Sequence, residues 1–169
     1  ENPHGIAWLE NQISGEYNFN EFMPHQLISD ADMINLQASG HVPNSNLGEY
    51  TFYKIFAADL DSDNHAEIIT LSDKGTIVWQ NDGNDYFYPN IIKENTRDFL
   101  AISVAVDDMD GNGLLDIITG NDATAPEESI VIFFQSHVDW DEETGCNECD
   151  YDDMIMGIPK LQFDTYYAS

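Results

Sequence analysis

The chain has 169 residues, enough for one ordinary core, and its 42% apolar and 12% aromatic content is too high for a disordered acidic tail. Asp and Glu number 32 against 5 Lys and Arg, a net charge of −27, which sets nucleic acid phosphates and anionic membrane surfaces aside as partners. No apolar run approaches the ~20 residues that span a bilayer, so no membrane insertion is expected.

The chain opens Glu1-Asn-Pro-His, without an initiator Met or a basic-then-apolar leader, and reads as a processed chain or a segment of a longer one. Short β-branched and aromatic runs then follow in order: Gly5–Leu9, Thr51–Ala58, Ala66–Leu71, Thr76–Trp79, Phe87–Ile92, Leu100–Val106, Leu115–Thr119 and Ile130–Phe134. Asp, Asn and Gly clusters such as Asn81-Asp-Gly-Asn-Asp85 separate them, and that rhythm predicts an all-β chain with many turns. The stretch Asp30–Tyr50 reads as an insertion on a connecting loop.

Two stretches repeat after 49 residues: Asp59-Leu-Asp-Ser-Asp-Asn-His-Ala-Glu67 and Asp108-Met-Asp-Gly-Asn-Gly-Leu-Leu-Asp116. A second similarity overlies the first. Gly5–Asn11 resembles Gly75–Asn81, with Trp8 matching Trp79, and Phe22-Met-Pro-His resembles Phe87-Tyr-Pro-Asn. Ile130–Gln135 has the character of Ile77–Gln80, after an insertion at Asn121–Glu128. The assembled unit is strand, acidic loop, strand, turn, strand, turn, strand, which is a β-propeller blade of four antiparallel strands. At this period the chain holds three to four blades, whereas closure takes about four to eight. A partial propeller is therefore expected, with residues 1–135 as blades and residues 136–169 as an acidic Cys-x-x-Cys loop and final strand continuing it.

Each acidic stretch sets oxygen-bearing side chains at loop positions 1, 3, 5 and 9 and then enters Ile68-Ile-Thr or Ile117-Ile-Thr. A hard divalent cation asks for such a set, several carboxylate or amide oxygens around one point with a backbone carbonyl among them. An EF-hand needs a bidentate acid at position 12 and flanking helices. Thr70 and Thr119 stand at position 12 and the flanks are β-branched, so EF-hand and dockerin readings fail. The loops and their flanks resemble the calcium loops of FG-GAP or VCBS-type propeller repeats, as in integrin alpha-subunit heads and many secreted microbial proteins.

That resemblance implies two Ca2+ sites. The first would use Asp59, Asp61, Asp63, the carbonyl of His65 and Glu67; the second would use Asp108, Asp110, Asn112, the carbonyl of Leu114 and Asp116. Loop one departs from the family pattern, with Ser62 and Asn64 in place of glycines and Glu67 in place of Asp. Asn tolerates the left-handed conformation, so the turn is expected to survive. With four carboxylates against three, loop one is expected to gain more from the cation.

Asp139–Asp153 carries eight acids and no base, read as a solvated loop or as a further cation site. Within it, Cys146 and Cys149 form either a small disulfide loop or a reduced pair; zinc would need two more ligands. Lys160–Tyr167 resumes strand-like alternation, with Leu161, Phe163 and Tyr166 as anchors. Trp8 and Trp79 read as packing aromatics rather than sugar platforms, and the histidines show no metalloprotease spacing. No nucleophile elbow, phosphate loop or zinc-protease motif occurs, so the chain is read as a non-enzyme.

What the resemblance implies is a calcium-stabilised module, secreted or at the cell surface, serving as scaffold or adhesin for a protein or glycan ligand. Other copies, or the rest of a larger propeller, are further partners. The alternatives are the propeller portion of a secreted polysaccharide lyase or hydrolase, and a subunit of an extracellular fibre or appendage.

Overall fold

The structure is a computed structural model. It describes residues 7–11, 22–26, 51–84, 87–95, 99–123, 129–136, 140–141, 145–146, 154–155, 158–159 and 161–168. The insertion at 30–50, Cys149 with its pairing to Cys146, and most of the acidic run 139–153 lie outside these residues. The chain divides into two compact units, Glu1–Glu49 and Tyr50–Ser169. Every described element is a strand, and no helix occurs among the described residues.

In the first unit β1 (Ala7–Asn11) pairs antiparallel with β2 (Phe22–Gln26), with Asn11 opposite Phe22 and Leu9 opposite Pro24. The same register recurs later, where Asn81 lies opposite Phe87 and Trp79 opposite Pro89. Leu9, not Trp8, therefore occupies the register position of Trp79, which corrects the expected match by one residue.

The second unit holds two four-stranded antiparallel sheets. The first runs β3 (Phe52–Ala58), β4 (Glu67–Ser72), β5 (Gly75–Asn81) and β6 (Phe87–Glu94), each strand beside its sequence neighbour. The second takes β7 (Phe99–Asp107), β8 (Asp116–Ala123) and β9 (Ile130–Ser136) in the same succession. After β9 come four two-residue strands in two antiparallel pairs, β10 (Trp140–Asp141) with β11 (Gly145–Cys146), and β12 (Met154–Ile155) with β13 (Ile158–Pro159). The chain then returns as β14 (Gln162–Ala168), which pairs with β9 and supplies the fourth strand. This is the up-and-down, four-strand form of propeller blades.

The core lies between the two sheets. Ile69 sits opposite Val78 in the first sheet, and Ile117 opposite Phe133 in the second. All four are fully buried in one cluster with Leu60, Val131 and Leu161. On the other face of the first sheet Ile68 pairs with Trp79. The Trp79 indole N–H donates to Thr70 Oγ1 at 2.9 Å, and its ring meets Phe52 edge-on at 6.2 Å. A buried Trp needs such a partner for its polar edge.

The return strand is clamped to the first sheet. Leu161 N–H donates to Gln80 Oε1 at 3.1 Å, and Leu161 C=O accepts from Asn90 Nδ2 at 2.8 Å. Leu161 and Phe163 then add to the core, as the alternation predicts. Tyr166 does not anchor the strand. It lies opposite Ile132, on the face turned from the other sheet, and is 54% exposed.

Candidate metal centres

Each acidic loop joins the first strand of a sheet to the second, β3 to β4 and β7 to β8. The loop backbone must reverse within nine residues, and positions 4 and 6 take the left-handed conformation to do so. In loop two these are Gly111 and Gly113, with φ of 78° and 89°. In loop one they are Ser62 and Asn64, with φ of 62° and 72°. The turn survives the loss of both glycines, and Ser62 carries the strain.

A left-handed L-residue costs roughly 1–2 kcal/mol, against roughly 0.5–1 kcal/mol of extra backbone entropy lost by a glycine. Ser62→Gly is therefore expected to stabilise the chain by about 0.5–1 kcal/mol. The denaturant midpoint checks it, and an unchanged or lowered midpoint contradicts it.

Nearly the same hydrogen bonds build both loops, although seven of the nine residues differ. The position-1 acid accepts the N–H of positions 5 and 6, at 3.1 and 3.1 Å for Asp59 and 3.1 and 3.0 Å for Asp108. The position-3 acid accepts the N–H of position 5, at 3.3 Å for Asp61 and 3.0 Å for Asp110. Position 5 accepts the N–H of position 7 at 2.7 Å in both, Asp63 from His65 and Asn112 from Leu114. Short polar side chains that capture backbone N–H groups two to five residues on are what shapes such a loop.

The position-9 acid is buried and acts on three elements at once. Glu67 Oε2 accepts the N–H of Leu60 at 2.7 Å and its Oε1 accepts the N–H of Asn81, at the end of β5, at 3.4 Å. Asp116 Oδ2 accepts the N–H of Met109 at 2.8 Å and its Oδ1 accepts the N–H of Gln135, late in β9, at 2.9 Å. The acid thus fastens the loop entrance to the third strand of its own sheet. This role was not in the sequence reading, since no spacing rule pairs Asp116 with a residue beyond an insertion.

Three carboxylates converge in each copy: Asp59, Asp61 and Glu67, and Asp108, Asp110 and Asp116. Within each group one oxygen per residue lies within 4.8 Å of the others. Oxygens around one Ca2+ at 2.3–2.6 Å are separated by about 5 Å at most, so both groups fit a single such ion. Asp63 lies close enough to the first group for its charge and side chain to act on Asp61. Its carboxylate turns to its own neighbour, with Oδ2 3.3 Å from His65 Nδ1. Asn112 Nδ2 donates to Asp110 Oδ2 at 3.2 Å and to the carbonyl of Gln135 at 3.1 Å. For His65 and Leu114 the structure gives the N–H bond to position 5.

The electrostatics of loop one bear the mark of its crowding. Burial pushes the Glu67 carboxyl up to about 7, against the pull of the Leu60 N–H, and the Asp61 charge adds to the rise. Burial also raises Asp61, followed by the charge of Asp63. A cation between these groups would offset both effects, because it favours the ionised form of every ligand.

Residues 47–119 match the family model described as the FG-GAP-like repeat. That span begins just ahead of β3 and contains both acidic loops. No match was found among curated proteins or among solved structures.

Proposed function

We propose that this chain, a β-propeller-type module carrying an FG-GAP-like repeat over residues 47–119, is held together by calcium and works outside the cell as a scaffold or adhesin for a protein or glycan. The observation that carries the reading is the twofold recurrence of one carboxylate cluster on one hydrogen-bonded scaffold. Oxygen-only ligands on an irregular loop suit Ca2+ better than Mg2+, which demands near-ideal octahedral geometry and keeps its waters. The ion's work is structural. Each loop leads from a largely exposed strand into one that carries core residues, β3 to β4 and β7 to β8, so binding energy becomes folding energy. The net charge of −27 also makes bound cations favourable for the compact state. The reading as a non-enzyme follows from the motifs, and adhesion follows from the family resemblance.

With affinities of ~10⁻⁴–10⁻³ M, as in extracellular modules, millimolar calcium adds about 1 kcal/mol per site. Two sites then raise Tm by about 5 °C over the chelated chain. Thermal melts in calcium, magnesium and EDTA check this: a curve that EDTA leaves in place removes the calcium assignment. A glycan array probed with and without calcium tests adhesion, and degradation of a polysaccharide by the purified chain overturns the non-enzyme reading.

A further inference from the structure

We propose that Asn112-Gly113 is a site of spontaneous deamidation, by which the second loop exchanges its position-5 amide for the carboxylate that the first loop carries there as Asp63. Asn112 is the only asparagine in the sequence followed by glycine. The reaction requires the backbone nitrogen of the next residue to reach the side-chain carbonyl carbon, and a side chain on that residue obstructs the approach. Gly113 has none, and nothing lies within 4 Å of where its Cβ would stand. Both residues are exposed, so water has access.

Two local bonds favour the step. The Gly113 N–H is outside any strand ladder and is oriented by Asp108 Oδ2 at 3.0 Å. Asn112 Oδ1 accepts the Leu114 N–H at 2.7 Å, a donor placed where negative charge builds as the carbonyl is attacked. Against these, Asn112 Nδ2 donates to Asp110 Oδ2 and to the Gln135 carbonyl, two bonds that break as the nitrogen leaves. Asn64 occupies position 6 of the other loop, and His65 follows it, a residue with a side chain.

The chemistry balances with water alone. The Gly113 nitrogen bonds to Cγ of Asn112 and its proton passes to solvent. Nδ2 takes up a proton from solvent, the Cγ–Nδ2 bond breaks and ammonia leaves, giving a cyclic imide. Water then opens either imide carbonyl, yielding aspartate or isoaspartate. The aspartate product copies loop one, where Asp63 makes the same 2.7 Å bond to the N–H of position 7. The isoaspartate product puts an extra methylene into the loop backbone and spoils the turn.

One arm of the test rests on the proposed calcium site. A cation held by Asp108 and Asn112 would fix the attacked side chain and slow the reaction. The full chain is to be aged at mildly alkaline pH in EDTA and in calcium, then mapped by peptide mass spectrometry and isoaspartyl labelling. Asn112 is expected to react first, several-fold faster than Asn64 or Asn84, and Asn112→Gln is expected to abolish that product. An intact Asn112 after other asparagines have reacted overturns the proposal. Equal rates with and without calcium remove the cation from loop two and leave the deamidation standing. Asn112→Asp, as a stand-in for the aspartate product, is expected to fold and to show a larger calcium-induced rise in Tm.

Discussion

Asp116→Ala is expected to destabilise the chain by about 2–5 kcal/mol in EDTA, and by about 1 kcal/mol more in calcium, where a ligand is lost as well. The alanine strands two backbone donors, the buried N–H of Gln135 and the part-buried N–H of Met109. Each orphaned buried donor costs roughly 1–3 kcal/mol, and a domain has only about 5–15 kcal/mol in hand. Asp110→Ala is the contrast. It removes an exposed carboxylate that shapes the loop through the Asn112 N–H, so its loss is expected to register mainly in calcium. Asp116→Asn falls between, because its oxygen still accepts one N–H while its amide faces the other donor. Urea titrations of the three variants, each with and without calcium, separate fastening from ligation. If Asp116→Ala and Asp110→Ala lose the same stability in EDTA, the fastening role of the buried acid is wrong.

Glu67→Gln is expected to change sign with the metal. In the metal-free chain the Glu67 carboxyl titrates at about 7, above its ordinary value of 4.5. A group that holds its proton more tightly when folded contributes most stability below the unfolded value. That contribution is lost as pH rises through the folded value, here between pH 4.5 and about 7. The shift corresponds to about 3 kcal/mol at most, as an order of magnitude. In EDTA at pH 8 the neutral isostere escapes the burial of a charge and loses only the longer bond to the Asn81 N–H. A gain of about 1–2 kcal/mol over the parent chain is expected there. In calcium the same change deletes a ligand, the advantage shrinks or reverses, and the pH slope of the parent flattens because the cation holds Glu67 ionised. Melting curves from pH 5 to pH 8 in both conditions read this out. A Glu67→Gln chain less stable than its parent in EDTA at pH 8 contradicts it.

Much of the unit was legible because its signals are local. Alternating β-branched runs marked β3 to β9 to within a few residues, and the repeated acidic stretches marked the loops between first and second strands. The left-handed turn at Asn64 followed from residue chemistry. That Ser62 would enter the same region did not, since serine has no special tolerance for it and only its neighbours' hydrogen bonds impose it. Asp63 shows a similar limit. Spacing places it beside Asp59 and Asp61, and it does act on Asp61, but its approach to His65 Nδ1 is a second contact that spacing does not show.

By itself, the sequence determined the all-β class, the four-strand unit, the position of both acidic loops and the family they resemble. The class and the loops depend on residues within about a dozen positions of one another, where periodicity and turn chemistry act directly, and the four-strand unit on the recurrence of such local signals after 49 residues. Tertiary structure alone decided that β14 returns to complete the second sheet, that Gln80 and Asn90 clamp Leu161, and that Asp116 reaches Gln135. It also decided that Leu9 rather than Trp8 takes the place of Trp79, and that Tyr166 faces outward. These are matters of register and long-range pairing. A strand shifted by one residue turns every side chain to the opposite face, and only the paired neighbour says which register is taken.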